Sequence, residues 1–128
     1  MSSTPISVGD VAPDFTSTSQ SNTPWTLSSV TPSKHVVLYS YPKDDTPGCT
    51  EQACKFNDSI ELFDKLDAAI VGVSADADHS QFINKYGLKF TLLSDTKNEF
   101  RQLYGVPKTL GIFLVDVLMS LKRKPEKY

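Results

Sequence analysis

Two cysteines, Cys49 and Cys54, lie in the segment Tyr41-Pro42-Lys43-Asp44-Asp45-Thr46-Pro47-Gly48-Cys49-Thr50-Glu51-Gln52-Ala53-Cys54. A thiol acts as a nucleophile in its thiolate form. The start of a helix favours that anion, because its N–H groups are unpaired and its dipole is positive there. Pro47 suits such a start, since its missing N–H would have had no partner anyway. Cys49 therefore reads as the reactive sulfur. Thr46 brings a hydroxyl three residues earlier, able to donate to a bound oxygen or to the thiolate, and also to accept. Pro42 and Pro47 stiffen the loop and shield the sulfur from bulk water. This arrangement suits attack on an O–O bond, where negative charge grows on the leaving oxygen. The product would be a sulfenic acid, which a second thiol can condense with. Cys54 is the only other thiol in the chain.

The spacing adds a constraint. Five residues of α-helix give about 7.5 Å of rise and roughly 140° of rotation, so the two Cα atoms would lie roughly 8–9 Å apart. A disulfide tolerates about 7 Å. A bond between the two sulfurs therefore requires the first turn or two to unwind. Plainer readings stand beside this one. Cys54 alone also fits an inert core position, since free cysteine buries well. Thr46 alone fits an ordinary turn. Zinc would need two ligands beyond the thiolates, with only His35 and His79 to supply them, so no metal site is read here. His35 and His79 are taken as structural or solvated, and Asp44-Asp45 as a solvated loop edge.

The elements that must position these residues follow from the apolar pattern. Residues 35–41 (HVVLYSY) form a compact β-branched and aromatic run, which predicts a central strand ended by Pro42. A helix is expected from Pro47 to about Leu66, with Ala53, Phe56, Ile60, Phe63 and Leu66 along one face. Residues 68–74 (AAIVGVS) predict a second buried strand. Asp76-Ala77-Asp78 should cap a helix through Phe82, Ile83 and Tyr86, closed by Gly87. Residues 90–93 predict a third strand, and 97–104 a short helix ended by another glycine. Residues 7–34 read as turns plus one or two short strands, with Trp25 in the core. The alternation of strands and helices implies an α/β layered fold with a largely parallel sheet, in a single domain covering 1–128. Residues 112–118 (IFLVDVL) fit a strand or a short helix, and the polar tail 118–128 is expected to be frayed.

Composition narrows the function classes. The chain has 128 residues, enough for one core. A net charge of −2 with interleaved signs gives no support for nucleic-acid binding. No apolar run approaches the roughly 18 residues that a membrane span needs. The N-terminus lacks the basic start and apolar core of a secretory signal. Two cysteines without such a signal point to a reducing compartment. The expectation is cytoplasmic, with an organelle open if the chain is a processed form.

The string Pro42-x-x-x-Thr46-x-x-Cys49 is the active-site pattern of the peroxiredoxins. Its fuller form, from Tyr41-Pro42 through Thr46-Pro47-Gly48-Cys49-Thr50 to Ala53-Cys54, resembles the peroxiredoxin Q or bacterioferritin comigratory protein subfamily. Further blocks extend the resemblance over about residues 7–111. They are Val8-Gly9-Asp10-Val11-Ala12-Pro13-Asp14-Phe15, Val71-Gly72-Val73-Ser74, Lys85-Tyr86-Gly87-Leu88, Leu92-Leu93-Ser94-Asp95 and Tyr104-Gly105-Val106-Pro107. The resemblance implies a three-layer thioredoxin-like fold and a thiol-dependent peroxidase acting on hydrogen peroxide and alkyl hydroperoxides, with no cofactor. Cys49 would be the peroxidatic cysteine and Cys54 the resolving one, joined in an intrachain disulfide. Thr46 would hydrogen-bond the peroxide, and Pro42 would shield the pocket. Thioredoxin or a similar dithiol would be the reductant, and the chain a monomer.

One departure from the family pattern has a physical cost. The family carries an active-site arginine on a strand soon after the Gly-Val-Pro block. Gly111-Ile112-Phe113-Leu114-Val115-Asp116 holds that place here without one, and the last elements look shortened or replaced. Arg101 matches a helix position upstream, and Arg123 lies in the tail. Losing one preorganised electrostatic donor commonly costs about 10²–10³ in rate. A second class of function follows: a catalytically weakened variant that acts as a redox-responsive binding protein.

Overall fold

A computed structural model describes residues 12–30 and 34–106. Five strands form one sheet: β1 (Thr16–Ser19), β2 (Pro24–Thr26), β3 (His35–Ser40), β4 (Ala68–Ser74) and β5 (Thr91–Ser94). The helices are α1 (Leu27–Val30), α2 (Pro47–Asp58), α3 (Ile60–Lys65), α4 (Ser80–Tyr86) and α5 (Glu99–Tyr104). The strand order is β2-β1-β5-β4-β3. β4 pairs in parallel with both β3 and β5, while β1 runs antiparallel to β5 and β2.

Alternation along the strands divides the core between the two sheet faces, since successive side chains point oppositely. Val37, Tyr39, Ile70 and Leu92 face one cluster with Cys49, Ala53 and Phe56 of α2 and Phe82 of α4. Val36, Leu38, Val71, Val73 and Leu93 face a second cluster with Leu27, Phe100 and Tyr104. Trp25 packs against this second cluster, partly buried. Helix, sheet and helix therefore make the three layers. The sheet face under α2 is tightly filled at Gly72. A Cβ there would sit 2.9 Å from both the Tyr39 ring and Leu92, so the bare backbone admits the tyrosine.

The strands lie within a residue of their expected places, and Gly87 ends α4 in the left-handed conformation. Other details differ. The helix expected from 47 to 66 is two helices, broken at Ser59, which has φ −102° and ψ 10°. Leu66 is not on the buried face; it is 61% exposed. The start of α5 moves from 97 to 99. There the Asp95 carboxylate accepts the N–H groups of Phe100 and Arg101 at 2.9 and 3.1 Å. The Val8–Val11 part of the opening block, residues 107–118 with the arginine-free segment, Arg123 and the tail expected to be frayed all lie outside the described residues.

Candidate active site

The site forms where β3 gives way to α2. The Tyr41 N–H still bonds the Val73 carbonyl, extending the ladder by one residue. Pro42 then carries the chain away and is exposed. Asp45 turns it with φ +60°, a region that aspartate tolerates better than most residues. Thr46 is the N-cap, extended at φ −94° and ψ 157°, and Pro47 begins the helix. The Thr46 carbonyl accepts the first helical bond, from the Thr50 N–H at 2.8 Å. Its hydroxyl does not cap the helix; it donates to the Lys43 carbonyl at 3.1 Å.

Cys49 sits in the first turn of α2, 3% exposed, among Tyr39, Tyr41, Ala53 and Phe56. Cys54 lies on the same helix, half-buried, and both thiols are free. One unbroken helix carries both, so the helical separation of roughly 8–9 Å applies. Pro42 and Thr46 thus lie in the stretch that leads from β3 into α2, Cys49 and Cys54 follow on α2 itself, and regular helix geometry keeps the two cysteines beyond disulfide reach.

The acidic pair beside the proline does more than edge a loop. Asp44 is largely buried and Asp45 half-exposed, and both reach α4 and the residue before it. The Asp44 Oδ2 atom lies 2.6 Å from His79 Nδ1, while its Oδ1 accepts from the Tyr41 hydroxyl at 2.6 Å. Asp45 accepts from Lys85 Nζ at 3.1 Å and from the Tyr86 hydroxyl at 2.9 Å. The Asp44 N–H bonds Asp76 Oδ2, which also accepts from the Ser74 hydroxyl. The loop before Cys49 is therefore tied to both ends of α4. His79 is not solvated but 1% exposed. No local spacing marks this network, because Asp44 and His79 are 35 residues apart in sequence. The signal in the sequence was two adjacent acids in a loop between buried elements.

Electrostatics follow the contacts. Burial pushes the His79 imidazole towards neutrality, but the hydrogen bond and charge of Asp44 outweigh it and raise its pKa. Burial pushes the Tyr39 and Tyr41 phenols far above their ordinary range, so both stay protonated. The Tyr86 hydroxyl, then Lys85, holds the Asp45 carboxyl below the usual value. Ligand atoms of Asp44, Asp76 and His79 lie within 4.8 Å of one another, as a cation site would require. Each of these side chains is already engaged in hydrogen bonds within the network. The cluster reads as a hydrogen-bond network, not as a metal centre.

A sheet of this order, with a buried thiol opening the first crossover helix, defines a class of thiol proteins. The chain matches the family described as AhpC/TSA over residues 8–124 and belongs to it. Its relatives there carry the name peroxiredoxin Q, as the Cys49 segment led one to expect. Peroxiredoxin Q, chloroplastic, from Triticum aestivum is 49% identical over 107 residues, which is 82% of this chain and 49% of the relative. The chain spans about half the length of the curated relatives it matches. Among solved structures, peroxidoxin BcpB from Mycobacterium tuberculosis superposes with a TM-score of 0.76 at 35% identity, over 80% of this chain and 68% of that one. A PrxQ mutant from Xylella fastidiosa gives 0.77 at 31% identity, over 84% and 71%. The fold is thioredoxin-like, as expected. No helix among the described residues is long and apolar enough to cross a membrane.

Proposed function

We propose that the chain is a thiol-dependent peroxidase, with Cys49 as the peroxidatic and Cys54 as the resolving cysteine. The observation that carries this reading is the Cys49 thiol, buried in the first turn of α2 at a junction built by Pro42 and Thr46. The Cys49 thiolate attacks one oxygen of hydrogen peroxide or an alkyl hydroperoxide. An S–O bond forms, the O–O bond breaks, and the leaving oxygen takes a proton and departs as water or alcohol. Sulfur is oxidised and the peroxide reduced. The helix start leaves N–H groups of Gly48 and Cys49 without helical partners, free to stabilise the leaving oxygen. Thr46, whose own proton goes to Lys43, presents lone pairs to the peroxide O–H. Cys54 then attacks the Cys49 sulfur, and the sulfenic oxygen leaves as water. Thioredoxin or a similar dithiol reduces the disulfide by exchange and is itself oxidised.

The same reading takes the chain as one domain and a monomer, with neither nucleic acid nor membrane as partner. The chloroplastic relatives favour an organelle over the cytoplasm. A second reading rests on one observation: residues 111–116 hold no arginine. In that case Cys49 oxidises slowly, and the oxidised form serves to bind a partner.

A steady-state assay with hydrogen peroxide, thioredoxin, thioredoxin reductase and NADPH separates the two. Turnover is expected in the wild type and none in Cys49→Ser, because an alcohol is scarcely ionised at neutral pH. Cys54→Ser should still consume one equivalent of peroxide but fail to recycle. Mass spectrometry should then find an oxidised Cys49 and no intrachain disulfide. Persistent turnover in Cys49→Ser would overturn the mechanism. A wild type that oxidises at Cys49 yet barely consumes NADPH would favour the second reading.

A further inference from the structure

His79 stands at the N-cap of α4, with its ring enclosed. Its Nε2 lies 2.9 Å from the Leu93 carbonyl oxygen. A carbonyl only accepts, so Nε2 carries a proton. Its Nδ1 lies 2.6 Å from Asp44 Oδ2. A bare nitrogen lone pair facing a carboxylate at that distance would be repelled, so a proton lies between them. Asp44 Oδ1 also accepts the Tyr41 hydroxyl at 2.6 Å, so its carboxyl group acts as the acceptor on both oxygens. The proton therefore belongs to the ring, and His79 is an imidazolium with both N–H groups engaged.

The groups facing this cation come from three elements. The loop after β3 supplies Asp44, with the Tyr41 ring 6.5 Å away. The loop after β4 supplies Asp76, bonded to the Asp44 N–H, and Asp78, whose carboxylate accepts the Ser80 N–H. β5 supplies the Leu93 carbonyl. Three carboxylates thus surround one cation, and only Asp44 touches it. Asp44 is two residues from the N-cap Thr46 and five from Cys49.

We propose that the His79 imidazolium, held between Asp44 and the Leu93 carbonyl, is a positioning residue that fixes the 42–46 loop and so sets the place of Cys49. When the ring loses one of its two protons, one of its two hydrogen bonds is lost together with the charge that holds Asp44, and the loop loosens. This rests on the peroxidase reading for its effect on rate, but the clamp itself does not.

The test has two arms, both on the reduced 128-residue chain. In the first, ¹⁵N-labelled protein is titrated and the histidine ring nitrogens are read by NMR. Both His79 nitrogens should stay protonated above pH 6.5, where an ordinary imidazole is already half neutral. Amide exchange of residues 43–50, corrected for its intrinsic pH dependence, should rise as His79 deprotonates. A ring that is neutral at pH 6.5 overturns the proposal, as does exchange that ignores the titration. In the second arm, Cys49 oxidation by hydrogen peroxide is followed by stopped flow against pH in wild type, His79→Gln and Asp44→Asn. A misplacement of about 1 Å costs about 10²-fold in rate, and both variants should lose on that order at pH 7. Their profiles should also lack the wild-type decline that follows the His79 titration. Equal rates and parallel profiles would reject the positioning role while leaving the peroxidase reading intact. A wild type inert to peroxide would reject the peroxidase reading, and the first arm would still decide the clamp. That first arm needs only the wild type, so a variant that fails to fold does not blunt it.

Discussion

Tyr39 holds a hydroxyl that is buried and has no hydrogen-bond partner among the described residues. Its ring lies over Gly72 and packs against Phe56 with centroids 4.8 Å apart. Burial keeps the phenol neutral, and the nearby Cys49 reinforces this. An unsatisfied buried polar group costs about 1–3 kcal/mol. Tyr39→Phe keeps the ring and removes that penalty, so the reduced protein should gain stability, up to about 1–3 kcal/mol in urea unfolding. A loss of stability would mean that the hydroxyl has a partner after all. The contrast with the cysteines is instructive about what a sequence discloses. The placing of Thr46 and Cys49 at the start of α2 is legible because it depends on local spacing, with Pro47 as the first helical residue. The Asp44–His79 pair and the Tyr39 hydroxyl depend on segments that meet only after the sheet has formed.

At the scale of elements, α2 is the part that the proposed disulfide would have to change. It carries both thiols, and its regular geometry keeps them too far apart for the disulfide proposed for the oxidised form. Amide exchange across residues 50–54 should therefore rise by an order of magnitude or more once that disulfide is confirmed. Equal protection in both redox states would contradict the unwinding. The loop on the other side is braced by Asp44 and Asp45 against α4, so Cys54 should do most of the travelling. β4 was legible to the residue, because AAIVGVS is a continuous apolar run bounded by polar chain. The break at Ser59 was not legible. Ile60 and Phe63 keep the apolar period across it and still pack on the same core. A periodic pattern reports which face is buried, and it does not report a change of helix axis. The early start read for α5 has a similar cause: Asp95 takes the first amide hydrogens, and Asn98 is left-handed at φ +58°.

For the whole molecule, the pH dependence of stability has a definite sign. The folded-state pKa of His79 is raised, so its contribution is complete below the ordinary imidazole value and is lost as pH rises through the folded one. The pKa values of Asp45 and Asp78 are lowered, so their contributions hold above the usual carboxylate range and fade as pH falls. Both are exposed, and solvent screening keeps their share small. The thermal midpoint of the reduced protein should therefore fall from pH 6 to pH 9 more steeply in wild type than in Asp44→Asn. Parallel curves would show that His79 is not the titrating group. A consequence for timing follows from the Ser59 break. It makes α2 a short cooperative unit whose opening can stop at residue 58, leaving Phe63 seated on the core. Bringing Cys54 to Cys49 then needs the melting of a few turns and the closing of a short loop, motions that take about 0.01–1 μs in isolated peptides. In the proposed cycle, if that motion in the packed helix stays faster than the encounter with a dilute reductant, it does not limit turnover. The clock of the cycle would then be set by its bimolecular collisions and not by the refolding of its own helix.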